Sequence, residues 1–297
     1  RQSNEVETRE ERKNKELRAQ FPLHSVKRSA PIMHRIRSRK TKEEVAQIQR
    51  AINITGKAFE RVCGFVKPGV KEYEIEAEIT HEFIRNGSRG HAYTPIIGSG
   101  YNACVLHYIT NDMVCNDGEV ILMDFGCEYG GYASDLTRSI PVNGRFTKRQ
   151  KDVYNAVHRV QQEATQLLRP GTLLADYHKE VGRIMESELI GLGLLDKNDV
   201  AKQDPEKPLY KKYFMHGTSH YLGLDVHDAG SYGDLRPGSV VTVEPGIYIA
   251  QDSPCDPRWW GIGIRIEDDI LVTDGDPVNL SAGAPRSAEA VEAMMAK

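Results

Sequence analysis

Residues 123–139 read MDFGCEYGGYASDLTRS, and the fold turns on how this stretch is read. Asp124 closes an apolar run, EVILM (119–123), that has the length of a buried strand. Gly130-Gly131 then supplies a turn, and Asp135 lies on the way back. Eleven residues suffice for a strand end, a turn and a return, so the two carboxylates can face one another. The same pattern recurs 120 residues later. His107 is followed after eleven positions by Gly118, and after six more by Asp124; His227, Gly238 and Glu244 repeat both intervals. SVVTV (239–243) stands where EVILM stood, and Glu267, in GIGIRIEDDILV, stands as the second acid. A lone Asp on a strand reads as a turn or surface residue, but acids that end apolar strands are costly to bury unpaired. Four carboxylates drawn together raise one another's pKa unless cations accompany them. The repeat therefore points to a metal centre where two related halves meet.

Outward from these strands the pattern is helical. Thr41 is an N-cap with Glu44 as its capping-box partner, and Val45, Ile48, Ile52, Ala58 and Val62 keep a helical period. Pro68-Gly69 ends that helix, and a second runs from about Lys71 to Arg85. The order repeats with helices from about Thr147 to Leu168 and Leu174 to Leu192, parted by Pro170-Gly171. The two Pro-Gly turns are 102 residues apart rather than 120, so the polar stretch 196–213 is expected to be an insertion. Helix pairs alternating with hairpins predict an α+β fold: antiparallel sheet with helices on the outside.

Composition narrows the function. A formal net charge of −3 argues against a nucleic-acid binder relying on bulk electrostatics. No apolar run approaches the ~20 residues that span a bilayer, and the start carries no secretory signal pattern. Five cysteines without a CxxC pair predict buried thiols in a reducing, cytoplasmic setting. Residues 1–18 hold eleven charged side chains and read as a solvated helix or linker.

HGTSHYLGLDVHD (216–228) places His216, His220 and His227 close together. With this segment, MDFGCEYGGYASDLTRS, TVEPGIY and GIRIEDDILV, the chain resembles the pita-bread metallopeptidases over about residues 32–280. IIGSGYNACVLHY and the LDVHD continuation are most similar to aminopeptidase P, the Xaa-Pro aminopeptidases. Prolidases share an HGxGH pattern, in which Ser219 here replaces the second glycine. The resemblance implies two pseudo-symmetric halves with a curved sheet and a centre of two divalent ions. Manganese is expected first, with cobalt, iron or zinc as alternatives. The implied ligands are Asp124, Asp135, His220, Glu244 and Glu267, with Glu244 also a proton acceptor. His107, His216 and His227 would surround the substrate, and Arg265 would hold a ligand carboxylate. Tyr248 would belong with Arg265, although an aromatic at a strand end reads first as packing. The implied activity is attack by metal-bound hydroxide on peptides with proline second, releasing the first residue. A prolidase is the alternative, and a methionine aminopeptidase or a non-catalytic peptide-binding module ranks lower. Residues 1–31 would be a linker or the remnant of an absent N-terminal domain, and 32–297 the catalytic domain. No nucleic acid or membrane is expected as a partner, and a homo-oligomer stays open.

Overall fold

Thr41 caps the longest helix as its sequence predicts. Its side chain accepts from the Glu44 amide, and Glu44 accepts from the Thr41 amide. The computed structural model describes residues 6–230 and 233–296. An exposed helix α1 (Arg9–Gln20) and a short α2 (Ala30–Arg37) lead into α3 (Lys42–Phe65) and α4 (Glu72–Arg85). Strands β1 (Gly90–His91) and β2 (Ile96–Ser99) follow. Next come β3 (Val120–Asp124), β4 (Cys127–Tyr129), β5 (Tyr132–Ala133) and β6 (Thr137–Pro141). The second half opens with α5 (Lys148–Gln166) and α6 (Leu174–Gly191), then a short α7 (Lys197–Val200). It continues with β7 (Val240–Val243), β8 (Gly246–Ile249), β9 (Ile262–Arg265), β10 (Asp268–Leu271) and β11 (Val278–Asn279), and closes with α8 (Ala288–Met295). Residues 196–213 form α7 and a 3-10 turn.

Every strand pairing among the described residues is antiparallel, in small sheets ordered β2-β3-β6, β1-β4-β5, β11-β10-β7 and β8-β9. The two halves match. β3 pairs with β6 so that Asp124 lies opposite Thr137, and β7 pairs with β10 so that Val243 lies opposite Asp268. In each half one acid stands at the end of the first strand or directly after it, and the other precedes the second. Asp135 and Glu267 thus occupy the short links ahead of β6 and β10 rather than the strands themselves. The β4–β5 hairpin turns on Gly130 and Gly131, both at positive φ, as two-residue hairpins require.

The apolar faces of the helices explain the packing. α3 lies on α4 and backs β4 and β5; α5 lies on α6 and backs β7, β8 and β9. Ile54, Phe59, Ile121, Val157, Val241 and Ile264 belong to one core that runs through both halves. The halves are sewn together at their strands: Ser139 Oγ bonds the Arg265 amide, and the Glu267 amide donates to the Thr137 carbonyl. Among the described residues no helix is long and apolar enough to cross a membrane.

Candidate metal centre

Four acids and a histidine reach one cavity from the matched strand ends. Asp124 arrives at the end of β3, Asp135 ahead of β6, Glu244 after β7 and Glu267 ahead of β10. The cavity encloses about 460 Å3 and is lined by nine of the residues singled out in the sequence: His107, Asp124, Asp135, His216, His220, His227, Glu244, Arg265 and Glu267. Ile96, Leu106, Ile109 and Val226 supply its apolar wall. Donor atoms of Asp135, His220 and Glu267 lie within 4.8 Å of one another, close enough to hold one ion.

The orientation of His220 suits a ligand. Its Nδ1 lies 3.1 Å from the Tyr221 carbonyl, which can only accept, so Nδ1 carries the proton. Nε2 is then free to offer its lone pair, and it faces Glu244 at 3.4 Å and Asp135 at 3.5 Å. Burial works against an imidazolium here, yet the Asp135 and Glu244 carboxylates outweigh it and lift His220 to about 9, so a cation binding at Nε2 displaces a proton from it.

The acids are held by a dense set of donors. Arg265 Nη2 bonds Asp124 Oδ2 at 2.6 Å, its Nη1 bonds the Tyr248 hydroxyl at 2.9 Å, and its Nε bonds Thr137 Oγ1 at 3.1 Å. Thr137 Oγ1 in turn donates to Glu267 Oε2 at 2.5 Å. Tyr248 passes the chain on to His216 Nε2 at 2.8 Å, while His216 Nδ1–H donates to the Gly217 carbonyl at 2.7 Å. Both ring nitrogens of His216 are therefore engaged within the protein. His216 lines the cavity, with both nitrogens turned to protein partners. Tyr248 is a buried link between Arg265 and His216 rather than simple packing. His227 stacks edge-on against His220, with centroids 4.3 Å apart.

Two features indicate that this set fits cations. The Tyr93 hydroxyl lies 2.6 Å from Asp124 Oδ1 and 2.5 Å from Asp135 Oδ1. A phenol has one proton, so it can satisfy one of these oxygens only. Burial, with the neighbouring carboxylates, drives Glu267 well above the usual range, and burial first of all pushes Glu244 up to about 7. Divalent ions remove both conflicts by neutralising the acids.

Sequence reading passed over Tyr93, Thr137 and Asp269. Tyr93 lies 31 residues before Asp124 in an unpatterned stretch; the β2–β3 register, which sets Ile96 opposite Asp124, brings it near. Asp269 is buried and accepts from the Asp135 amide at 3.1 Å. Its place two residues after Glu267 is the one signal the chain offers.

The signature of metallopeptidase family M24 matches residues 46–274. The chain belongs to this family. It is 46% identical over 272 residues to the Xaa-Pro aminopeptidase of Escherichia coli (strain K12), a match covering 89% of this chain and 61% of that protein. To human Xaa-Pro aminopeptidase 3 it is 37% identical over 265 residues, covering 88% of this chain and 52% of the relative. The structure of aminopeptidase P from E. coli with the inhibitor Pro-Leu superposes with a TM-score of 0.85 at 45% identity, covering 90% of this chain and 62% of that one. A zinc-substituted E. coli aminopeptidase P in complex with product superposes equally well. The chain thus spans about three fifths of the length of these bacterial relatives. The M24 match establishes the pita-bread α+β fold inferred from the motifs, and a carboxylate–histidine site for divalent metal is in keeping with the family.

Proposed function

We propose that this chain is the catalytic portion of a dinuclear metallo-aminopeptidase that releases the N-terminal residue from peptides with proline second. The observation that carries this reading is the convergence of four acids and four histidines on one cavity with an apolar wall. The 46% identity to an Xaa-Pro aminopeptidase supports it. Residues 32–297 form the catalytic domain, 1–31 a linker leading into it, and 196–213 an insertion in the second half. Five free thiols support a reducing, cytoplasmic setting.

Asp124, Asp135, His220, Glu244 and Glu267 would hold the two ions. Oxygen-rich donors favour manganese first, with cobalt, iron or zinc as alternatives. When bound, such ions acidify water and polarise a carbonyl oxygen. Asp135 and Glu267, one from each half, and Asp124, His220 and Glu244 would supply the donor atoms for the ions. Glu244 would take the proton of the attacking water, a task that its carboxylate at the cavity wall can perform. Arg265 and Tyr93 keep Asp124 from turning away, which fixes the donor set before substrate arrives. His107 and His227 hydrogen-bond the scissile carbonyl as charge develops on its oxygen, and assist protonation of the departing prolyl nitrogen. The tertiary Xaa-Pro amide has no N–H, so nothing in the site needs to accept one. Ile96, Leu106, Ile109 and Val226 offer the pyrrolidine ring apolar contact.

The test is hydrolysis of Arg-Pro-Pro and Gly-Pro by EDTA-treated protein, before and after Mn2+ is added. Metal-dependent cleavage of the tripeptide is the expected result. Cleavage of the dipeptide alone would replace this reading with a prolidase. Failure on both, with metal bound and the fold intact, would overturn it in favour of a peptide-binding module.

A further inference from the structure

His107 lies in a segment with little regular structure of its own. Between β2 and β3 the chain makes one 3-10 helix (Gly100–Cys104) and then runs irregularly past residue 113. Yet this segment brings Leu106, His107 and Ile109 to the cavity wall. Its shape must be imposed from outside.

The outside element is α4. Glu72, at its first turn, is fully buried. Its Oε1 accepts from the Ser99 amide at 2.8 Å and from Asn102 Nδ2 at 3.3 Å. Its Oε2 accepts from the Tyr108 hydroxyl at 2.8 Å and the Met113 amide at 3.0 Å. The four donors come from both sides of His107 in the chain. One turn further along α4, Glu76 accepts from Asn111 Nδ2 at 2.9 Å. Asn111 is buried at a positive φ of 48° and accepts from the Ile97 amide, so it pins the same segment to β2. Two acids four residues apart on one helix face thus clamp a single loop. Glu72 makes no ion pair among the described residues; these four donors satisfy both of its buried oxygens.

We infer that Glu72 is a positioning residue for His107: it fixes the 99–113 loop from both flanks and so sets the wall of the substrate cavity opposite the metal ligands. This role rests on the proposed peptidase reading, but the loop anchoring can be read without any activity. Glu72→Gln keeps the size of the side chain and replaces an acceptor oxygen by an NH2 group, which must then face donors.

Amide hydrogen exchange on the metal-loaded protein tests the anchoring. Glu72→Gln should lose protection at Ser99 or at Met113, whichever amide then faces the NH2 group, while α3 and α5 exchange as before; unchanged exchange throughout 99–113 would overturn the inference whatever the protein's activity. The catalytic part is read with Arg-Pro-Pro. The variant should lose kcat/KM by on the order of tenfold to 100-fold, the scale expected of a misplaced contact group, with Mn2+ affinity retained. The same substitution in a His107→Ala background should cost little further. A loss of equal size in that background would show that Glu72 serves the general structure and not His107.

Discussion

At the scale of single residues, the centre is governed by unequal numbers of protons and acceptors. Tyr93 faces two carboxylate oxygens with one hydrogen, and its removal should be felt by the ions rather than by the fold. Tyr93→Phe is expected to weaken Mn2+ binding by about 10–100-fold, the usual cost of losing a group that orients ligands; calorimetric titration against the parent protein measures it, and unchanged affinity would remove Tyr93 from the metal site. The thiols make a second case. Burial pushes the Cys63 and Cys115 thiols up to about 12. Below that pH they stay protonated, and at pH 8 roughly one in ten thousand is thiolate. Reactivity therefore rises only as pH approaches 12. Iodoacetamide at pH 8 should spare both in the native state and modify both in urea, with Cys255, half-buried, as the native target; mass spectrometry of the labelled peptides decides. Tyr93 was invisible in the sequence because one tyrosine in HAYTPIIG has no partner at helical or strand spacing. Asp124 and Glu244 were visible because their spacing from His107 and His227 repeats.

At the scale of elements, the sequence was most legible where signals are local. The Thr41–Glu44 and Thr147–Gln150 capping boxes start α3 and α5 at the first residue after each threonine. In α3 the box also reaches outward, since Glu44 Oε1 accepts from the Tyr132 hydroxyl of β5 at 2.9 Å. Thr41→Ala should lower stability by about 1 kcal/mol, the typical value of an N-cap, seen as a lower urea midpoint with an unchanged slope. Strand ends were read less well. Asp135 and Glu267 look like strand residues in a string of β-formers, but they stand in links. There their amides turn to other partners, Asp269 and the Thr137 carbonyl. The 99–113 loop had no local signal at all, because its conformation is set by acids on α4 distant in the chain.

At the scale of the whole molecule, the junction of the halves rests on a buried ion pair. Arg138, in β6, is fully buried and crosses to the second half. It bonds Asp268 Oδ1 at 2.6 Å, the Glu267 carbonyl at 2.6 Å and the Pro285 carbonyl at 2.7 Å. Arg138→Met removes the charge but keeps an apolar stem, and leaves a buried carboxylate short of its main partner. A loss of about 3–5 kcal/mol is expected, measured by urea unfolding of the metal-free protein. A loss under 1 kcal/mol would mean that Arg286, Gln161 and Asn279, which also bond Asp268, suffice to hold it.

The sequence by itself determined the repeat, the helix pairs, the acids and histidines of the centre and the family they resemble. Each of these depends on spacing along one chain or on a local cap, and such signals survive without coordinates. Only the tertiary structure decided how the halves meet. Donors such as Tyr93, Thr137 and Arg265 reach their carboxylates through strand register. His216 turns its nitrogens to Tyr248 and Gly217, and Glu72 gathers a loop from both sides of His107. Apart from the His216–Gly217 bond, those contacts join residues tens to more than a hundred positions apart, and they are selected by the cost of leaving buried charge unpaired, which no local pattern in the chain records.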